Sequence, residues 1–320
     1  MPTMQEMIDQ EYPPPPEAPS PFVEVDGTII QYAWDSTSLE YLKRCPRLYQ
    51  YQKQGWQPHD ENVHLRFGSE FHQVMHEYEL LKADGIEHEE AVFLVVKELL
   101  LRIDDFRPDH KYKNRLNLVR AVVRYMDKFQ DDKAKTIILD NGKPAVELSF
   151  RFELDYGPVG SDQPYLICGH LDRVVEFQGD PFIMDYKTNT TTPSDYYWRG
   201  FEPHNQMTLY TLASGVVLSS PVKGVIINSI QLMVEDVRVT RGTTYRTKDQ
   251  LEEWLRDLSY WLNLAETYAV ANYYPMNDTA CDKYGGCKFR EVCSKSPSVR
   301  QMYLEAEFVR EEPWNPLKVR

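Results

Sequence analysis

Gly169-His170-Leu171-Asp172 and Ile183-Met184-Asp185-Tyr186-Lys187-Thr188 lie on either side of the dipeptide Gln178-Gly179. Apolar and β-branched residues alternate with polar ones from Tyr165 to Phe177 and again from Phe182 to Lys187, which is the period of two strands in one hairpin. A tight turn centred on Gln178-Gly179 makes Phe177 face Asp180, and counting outward puts Asp172 opposite Asp185. Cross-strand Cβ atoms are roughly 4.5 to 5.5 Å apart, and two carboxylates that close repel by about 3 kcal/mol at an effective dielectric of about 20. Lys187 is two residues beyond Asp185, so the pleat places it on the same face. Two acids and a lysine on one face point to a divalent metal site with a cationic helper. A solvated Asp/Lys face would read the same way. Upstream, Ala145 to Phe152 also alternates, and a link centred on Gly157-Pro158-Val159-Gly160 makes 147 and 172 mirror positions, so Glu147 joins the row.

The order Glu147, Gly169-His170-Leu171-Asp172, Asp185-Tyr186-Lys187 and Gln206-Met207-Thr208-Leu209-Tyr210 resembles the PD-(D/E)XK nuclease superfamily. The Q-x-x-x-Y spacing is similar to its RecB-like branch, with the RecB and AddB nuclease domains and the CRISPR-associated or phage RecB-like iron-sulfur exonucleases. The resemblance implies an α/β fold with a restriction-endonuclease-like core: a three-stranded antiparallel meander, a helix and a further strand in one mixed sheet. It implies a metal-dependent DNA exonuclease acting in recombination and repair or in phage or CRISPR DNA processing. Asp172, Asp185 and the Tyr186 carbonyl would hold Mg²⁺ or Mn²⁺, Lys187 would orient the attacking water, and Glu147 would act as a further ligand or base. His72 in Phe67-Gly68-Ser69-Glu70-Phe71-His72 matches the branch's G-x-x-x-H ligand, and Gly68 favours it over His76. Gln206 and Tyr210, one helical turn apart, would contact a nucleotide. Tyr196-Tyr197-Trp198-Arg199 would either stack on unpaired bases or anchor a loop.

Five cysteines, an odd number, argue against a disulfide framework, and Cys281, Cys287 and Cys293 cluster in a way that asks for a metal. The segment Ser38 to Tyr49 around Cys45 resembles the first-cysteine segment of iron-sulfur RecB-like nucleases, and the later three resemble their C-terminal triplet. On that resemblance Cys45, Cys281, Cys287 and Cys293 hold a structural 4Fe-4S cluster joining the N-terminal helices to the tail. Five residues stand between Cys281 and Cys287 where AddB-type proteins usually have two, and four thiolates also suit Zn²⁺. Cys168 reads as a buried spectator.

A net charge of −13 is the wrong sign for a protein that wraps nucleic acid over its whole surface. Seven Lys/Arg against two Asp between Arg107 and Lys128 reverse the sign locally, and Arg120, Arg124 and Lys128 form one helix stripe, either a phosphate track or a solvated face. The substrate expected from the resemblance is DNA, single-stranded or with free ends, with a recombination or helicase partner. A catalytically silent nucleic-acid-binding or assembly subunit, or an α/β protein with a zinc staple, are the competing readings. No apolar run approaches a membrane span and Met1 to Tyr12 carries no signal peptide, so no membrane partner and a cytoplasmic location are expected.

Along the chain, six prolines between residues 13 and 21 mark 1-21 as a disordered lead-in, and 22-320 reads as one nuclease domain. Its helical part spans about 34-133, its catalytic core about 143-240, and its C-terminal helix and cysteine segment about 247-300. Asp26-Gly27 predicts a hairpin. Thr37 and Glu40 are spaced as the capping box of a helix that stops or kinks at Cys45-Pro46. Helices are expected over Gly68 to Leu81, Glu89 to Ile103, Asn114 to Lys133, Pro203 to Val217 and Lys248 to Ala271. Val222 to Val239 reads as a strand pair or one long strand.

Overall fold

The computed structural model of the chain describes residues 18–60, 62–106, 110–218 and 220–318. Most of the proline-rich lead-in, and Arg107 and Asp109 of the basic run, lie outside the described residues. The first hairpin pairs β1 (Phe22–Val25) with β2 (Thr28–Gln31). Positive φ at Asp26 (49°) and Gly27 (77°) closes it, as a two-residue turn of this type requires. The short β3 (Ala33–Trp34) and β4 (Trp56–Pro58) bracket helices Ser36–Arg44 and Pro46–Lys53. The first of these is capped by Asp35 and not by Thr37. The Asp35 carboxylate accepts the Ser38 amide at 2.8 Å, with the Ser38 side chain returning to the Asp35 amide, so the box sits two residues earlier than its expected Thr37 start. Cys45 ends the helix in an extended conformation and Pro46 begins the next at a position where its missing N–H is harmless.

Helices Val63–Ala83, His88–Arg102 and Arg115–Lys128 follow as the expected insert, the last ending five residues short of Lys133 at the Phe129 cap. Then come β5 (Lys135–Thr136), β6 (Val146–Glu153), β7 (Leu166–Phe177) and β8 (Asp180–Asn189). A short helix Asp195–Arg199 and the helix Asn205–Val217 lead to β9 (Gly224–Leu232) and β10 (Val237–Thr244), so 222–239 holds a turn rather than one long strand. Helix Lys248–Val270, the cysteine segment and β11 (Phe308–Arg310), which pairs with β4, complete the chain.

The mixed sheet runs β10-β9-β8-β7-β3, with β5 and β6 on the free flank of β7. β6, β7 and β8 form the antiparallel meander, and the Asn205–Val217 helix returns the chain so that β9 runs parallel to β8. The fold is therefore the restriction-endonuclease-like α/β arrangement. One face buries Met184, Tyr186, Ile226 and Ile230 under the three-helix insert. The other buries Leu171, Val174, Ile183 and Ile227 under helices Asn205–Val217 and Lys248–Val270. A third, smaller core collects Cys45, Leu48, Phe289, Val292 and Phe308 where the early helices meet the tail. Among the described residues no helix is long and apolar enough to cross a membrane.

Candidate active site

The β7–β8 register is the one counted from the turn: Phe177 pairs with Asp180, Val174 with Ile183 and Arg173 with Met184. Gln178 and Gly179 both have positive φ, 57° and 86°, as a type I′ turn needs. The ladder ends at Arg173–Met184, and the strands fork there. Beyond the fork β8 continues along β9, whereas β7 continues along β6 and meets β3 at Leu166 and Ile167. Asp172 and Asp185 are thus the first residues of the two arms and not a bonded cross-strand pair, since their like charges occupy the cleft where the ladder would have continued. The Asp172 carboxylate takes the place of a ladder carbonyl, accepting the Tyr186 amide at 3.1 Å.

Glu147 lies between Val146, paired with Arg173, and Leu148, paired with Leu171, so its mirror position is Asp172 as counted. Its φ of 46° is left-handed, a region a glutamate enters at a cost of about 1–3 kcal/mol, and such strain is characteristic of sites that need a side chain re-aimed. Gly169 permits the close approach of Phe150: a Cβ there would lie 2.6 Å from the ring. On the insert side the Val63–Ala83 helix carries His72 to the fork. One nitrogen or oxygen from each of His72, Glu147 and Asp172 lies within 4.8 Å of the others. Asp185 stays outside this trio. Its Oδ1 receives the Lys187 ammonium at 3.0 Å, while its Oδ2 is buried with no hydrogen-bond partner. Lys187 also donates to Gln206 Oε1 at 2.9 Å, and Gln206 donates to the Tyr210 hydroxyl at 2.8 Å. The two residues one helical turn apart therefore form a relay ending on the lysine.

Electrostatics follow from this crowding. Burial pushes the Asp185 carboxyl up to about 6, with Lys187 opposing and Asp172 adding to the rise. Burial would raise Asp172 too, but the His72 charge and hydrogen bond, then Lys187 and the Tyr186 amide, hold it low. For His72, burial is outweighed by Asp172, and its pKa rises to about 9. Burial also opposes the charge on Lys187, but Asp185 and Asp172 raise its pKa. The oxygen-rich donor set with one imidazole and a buried, unpartnered carboxylate oxygen fits a hard divalent cation.

His76, one turn on, is not in the trio. Burial lowers its pKa to about 4. Asn228 and Arg241 escaped the sequence reading: Asn228 donates to the Asp185 carbonyl at 3.4 Å and accepts from Arg241 Nε at 2.6 Å, and Arg241 is anchored on Asp132. Nothing in their sequence neighbourhood marks them. The 195–199 stretch is a short helix, in which Tyr196 is 88% exposed, Trp198 covers Gly242, and the Tyr197 hydroxyl sits 3.4 Å from Asn189 Nδ2. Of the basic stripe, Arg120 bonds Asn117 and Lys128 donates to the Val239 carbonyl at 2.6 Å. Arg124 and Lys128 share a cleft with Asp127 and Asp236, so part of the stripe's charge is offset.

The four predicted cysteines converge. Cys45, Cys281, Cys287 and Cys293 line one small cavity with Leu48, Ala280 and Phe289, while Cys168 is buried in the larger core. Gly285 and Gly286, at φ 81° and 107°, fold the five-residue spacer back so that the Cys287 amide donates to the Cys281 carbonyl at 2.8 Å. The Asn277 amide points at Cys45 Sγ, 3.3 Å away.

The family model of the PD-(D/E)XK nuclease superfamily matches residues 34–294, from β3 through the last cysteine. The chain belongs to the PD-(D/E)XK nuclease superfamily. No curated protein matches the chain. Among solved structures, one from Eubacterium rectale, named "Putative exonuclease", shares 12% identity over 85% of this chain and 92% of its own, with a TM-score of 0.49. A second, SSO0001, shares 11% identity over 80% and 83%, with a TM-score of 0.29.

Proposed function

We propose that this protein is a Mg²⁺- or Mn²⁺-dependent DNA exonuclease of the RecB-like branch, one nuclease unit over residues 22–320. The observation that carries this reading is Asp185 Oδ2, a buried carboxylate oxygen with no hydrogen-bond donor, on a carboxyl that interacts electrostatically with Lys187, Asp172 and His72. Such an atom is costly to leave unpaired and is answered by a cation. Asp172, Asp185, His72, Glu147 and the Tyr186 carbonyl would hold the ion. When bound, the divalent ion supplies positive charge to the phosphate oxygens and makes water more acidic. Lys187, steered by Asp185 and Gln206, presents its remaining N–H to the attacking water and to charge developing on the phosphate. Gln206 and Tyr210 hold that ammonium in place and border the position of the nucleotide. The G-x-x-x-H and Q-x-x-x-Y motifs support the RecB-like assignment and, with it, exonucleolytic action on DNA.

The four-cysteine cavity supports a structural 4Fe-4S cluster on Cys45, Cys281, Cys287 and Cys293. One tetrahedral zinc with bonds of about 2.3 Å would draw its sulfurs to roughly 3.8 Å from one another. The likeness of the Cys45 segment and the C-terminal triplet to those of iron-sulfur RecB-like nucleases favours the iron-sulfur group over a single zinc.

End-labelled single- and double-stranded DNA incubated with the purified protein, with and without Mg²⁺ or Mn²⁺, tests the assignment. Metal-dependent shortening from an end is expected. A folded protein that cleaves neither DNA form with either ion would overturn it.

A further inference from the structure

Lys113 is 5% exposed, and its ammonium makes two contacts, both 3.4 Å long: one to the His64 carbonyl and one to Thr188 Oγ1. These lie at the weak limit of hydrogen bonding, and an ammonium has three donors. Burial lowers its pKa to about 8, and among the described residues no acid raises it. A lysine almost never goes under without a carboxylate, because an uncompensated buried charge is destabilising. An anion brought by a ligand is one way to compensate such a charge.

The surroundings are built to keep it there. His110 Nδ1 accepts the Lys113 amide at 2.8 Å and the Tyr112 amide at 3.3 Å, leaving its Nε2–H as a donor. Asn114 ties back to the His110 carbonyl at 2.9 Å, and Asn117 bridges the Tyr112 and Met233 carbonyls. The ammonium stands 5.5 Å from the centre of the Phe67 ring, and the His64 and His110 rings meet edge to face at 5.3 Å beside it. Thr188 directly follows Lys187. Along the Val63–Ala83 helix, His64 precedes His72 by two turns, a separation of about 12 Å at 1.5 Å per residue. The cluster is therefore a positive, donor-rich spot near the end of β8, about two helical turns from His72 and, among the described residues, without an acidic partner for the ammonium.

We propose that Lys113, with Thr188 and the His64–His110 pair, forms a phosphate-binding subsite that grips the substrate strand one or two nucleotides from the bond to be cut. This rests on the nuclease reading above. The subsite would take a phosphate of a nucleic-acid strand, either an internal phosphodiester or a terminal phosphate.

Binding of a fluorescent single-stranded oligonucleotide in EDTA, followed by anisotropy across a salt series, tests it on the full chain. Lys113→Met is expected to weaken binding several-fold and to flatten the slope of log K against log[salt] by about 0.7, the contribution of one phosphate on a single strand. Lys113→Arg should keep most of both. The melting temperature of Lys113→Met without DNA should hold or rise, since a structural lysine would lower it on removal. Oligonucleotides with and without a 5′ phosphate separate the two phosphate sources: a variant defect present only with the terminal group assigns the subsite to it, and an equal defect assigns it to the internal backbone. An unchanged salt slope, or a fall in melting temperature with unchanged binding, would overturn the subsite. If the wild type cleaves DNA while Lys113→Met binds normally, the subsite alone fails; if the wild type neither binds nor cleaves, the nuclease reading fails with it.

Discussion

His72 Nδ1 lies 3.2 Å from Asp172 Oδ2, and the same ring's Nε2 lies 3.0 Å from the Tyr186 carbonyl. A protonated imidazole thus satisfies, in the metal-free protein, two of the acceptors proposed to hold the divalent ion. The proton and the ion compete for one place.

That competition sets a pH dependence. With His72 raised to about 9, the ring carries its proton at neutral pH and must release it to become a ligand. Metal affinity should therefore rise with pH up to about 9, by close to tenfold per unit where one proton is displaced. Calorimetric titration with Mn²⁺ near pH 7, in buffers of different ionisation enthalpy, should show about one proton released. In the metal-free protein the sign is opposite: the His72–Asp172 pair stabilises fully below pH 6.5 and loses that contribution as pH rises through about 9. A metal affinity flat from pH 6.5 to 9 would contradict the arrangement.

Asp185→Asn and Lys187→Ala should each reduce cleavage by about a thousandfold or more, because one removes a proposed ligand and the other the charge facing the phosphate. Asp185→Asn should not lose stability at pH 7, since the carboxyl it replaces is raised to about 6 by burial and ionises there at a cost. Single-turnover rates and thermal melts on the same preparations check both halves. Wild-type rates in either variant would remove the fork from consideration as the catalytic centre.

Two histidines outside the proposed ligand set predict acid sensitivity. Burial lowers His76 to about 4, and burial followed by Lys187 and Arg246 lowers His204 to about 4. A depressed histidine contributes its full stability above the unfolded value of 6.5 and loses it as pH falls towards 4. Melting temperature should fall across that window, by an amount worth at most on the order of 6 kcal/mol for the pair. His76→Leu should flatten part of the decline while leaving metal-dependent cleavage in place. His72→Ala should abolish metal binding instead.

How much of this was legible in the chain depends on how local each signal is. The β6, β7 and β8 registers could be counted because a period of two and tight turns fix them. The fork could not, since the ladder's end depends on β8 preferring β9 and β7 preferring β3 at its far end, a contact between residues more than 130 positions apart. The left-handed Glu147 and the early Asp35 cap were missed for a related reason. In the first, neighbours in space override the strand pattern; in the second, two plausible caps stood two residues apart and the stronger acceptor won. His72 was found only through a motif, and Asn228, Arg241 and the special place of Lys113 have no motif at all.

Cys287→Ser should bleach a brown, anaerobically purified protein and lower its melting temperature by several degrees, whereas Cys168→Ser should do neither. Absorbance, iron and zinc content and thermal melts settle this. A colourless wild type with one equivalent of zinc would exclude the iron-sulfur assignment; equal behaviour of the two variants would exclude any metal there.

The same cavity has a consequence for the order of events during synthesis. Cys45 precedes Cys281 by 236 positions, so at roughly 5–20 residues per second it leaves the ribosome about 12 to 47 seconds before the first of its partners. By then the sheet, the fork and both helical layers have all been made. Whatever group the four thiols take must be inserted into a nearly finished molecule, and a chain stalled before residue 281 would have its proposed catalytic residues in full while the two ends of the fold remained unjoined.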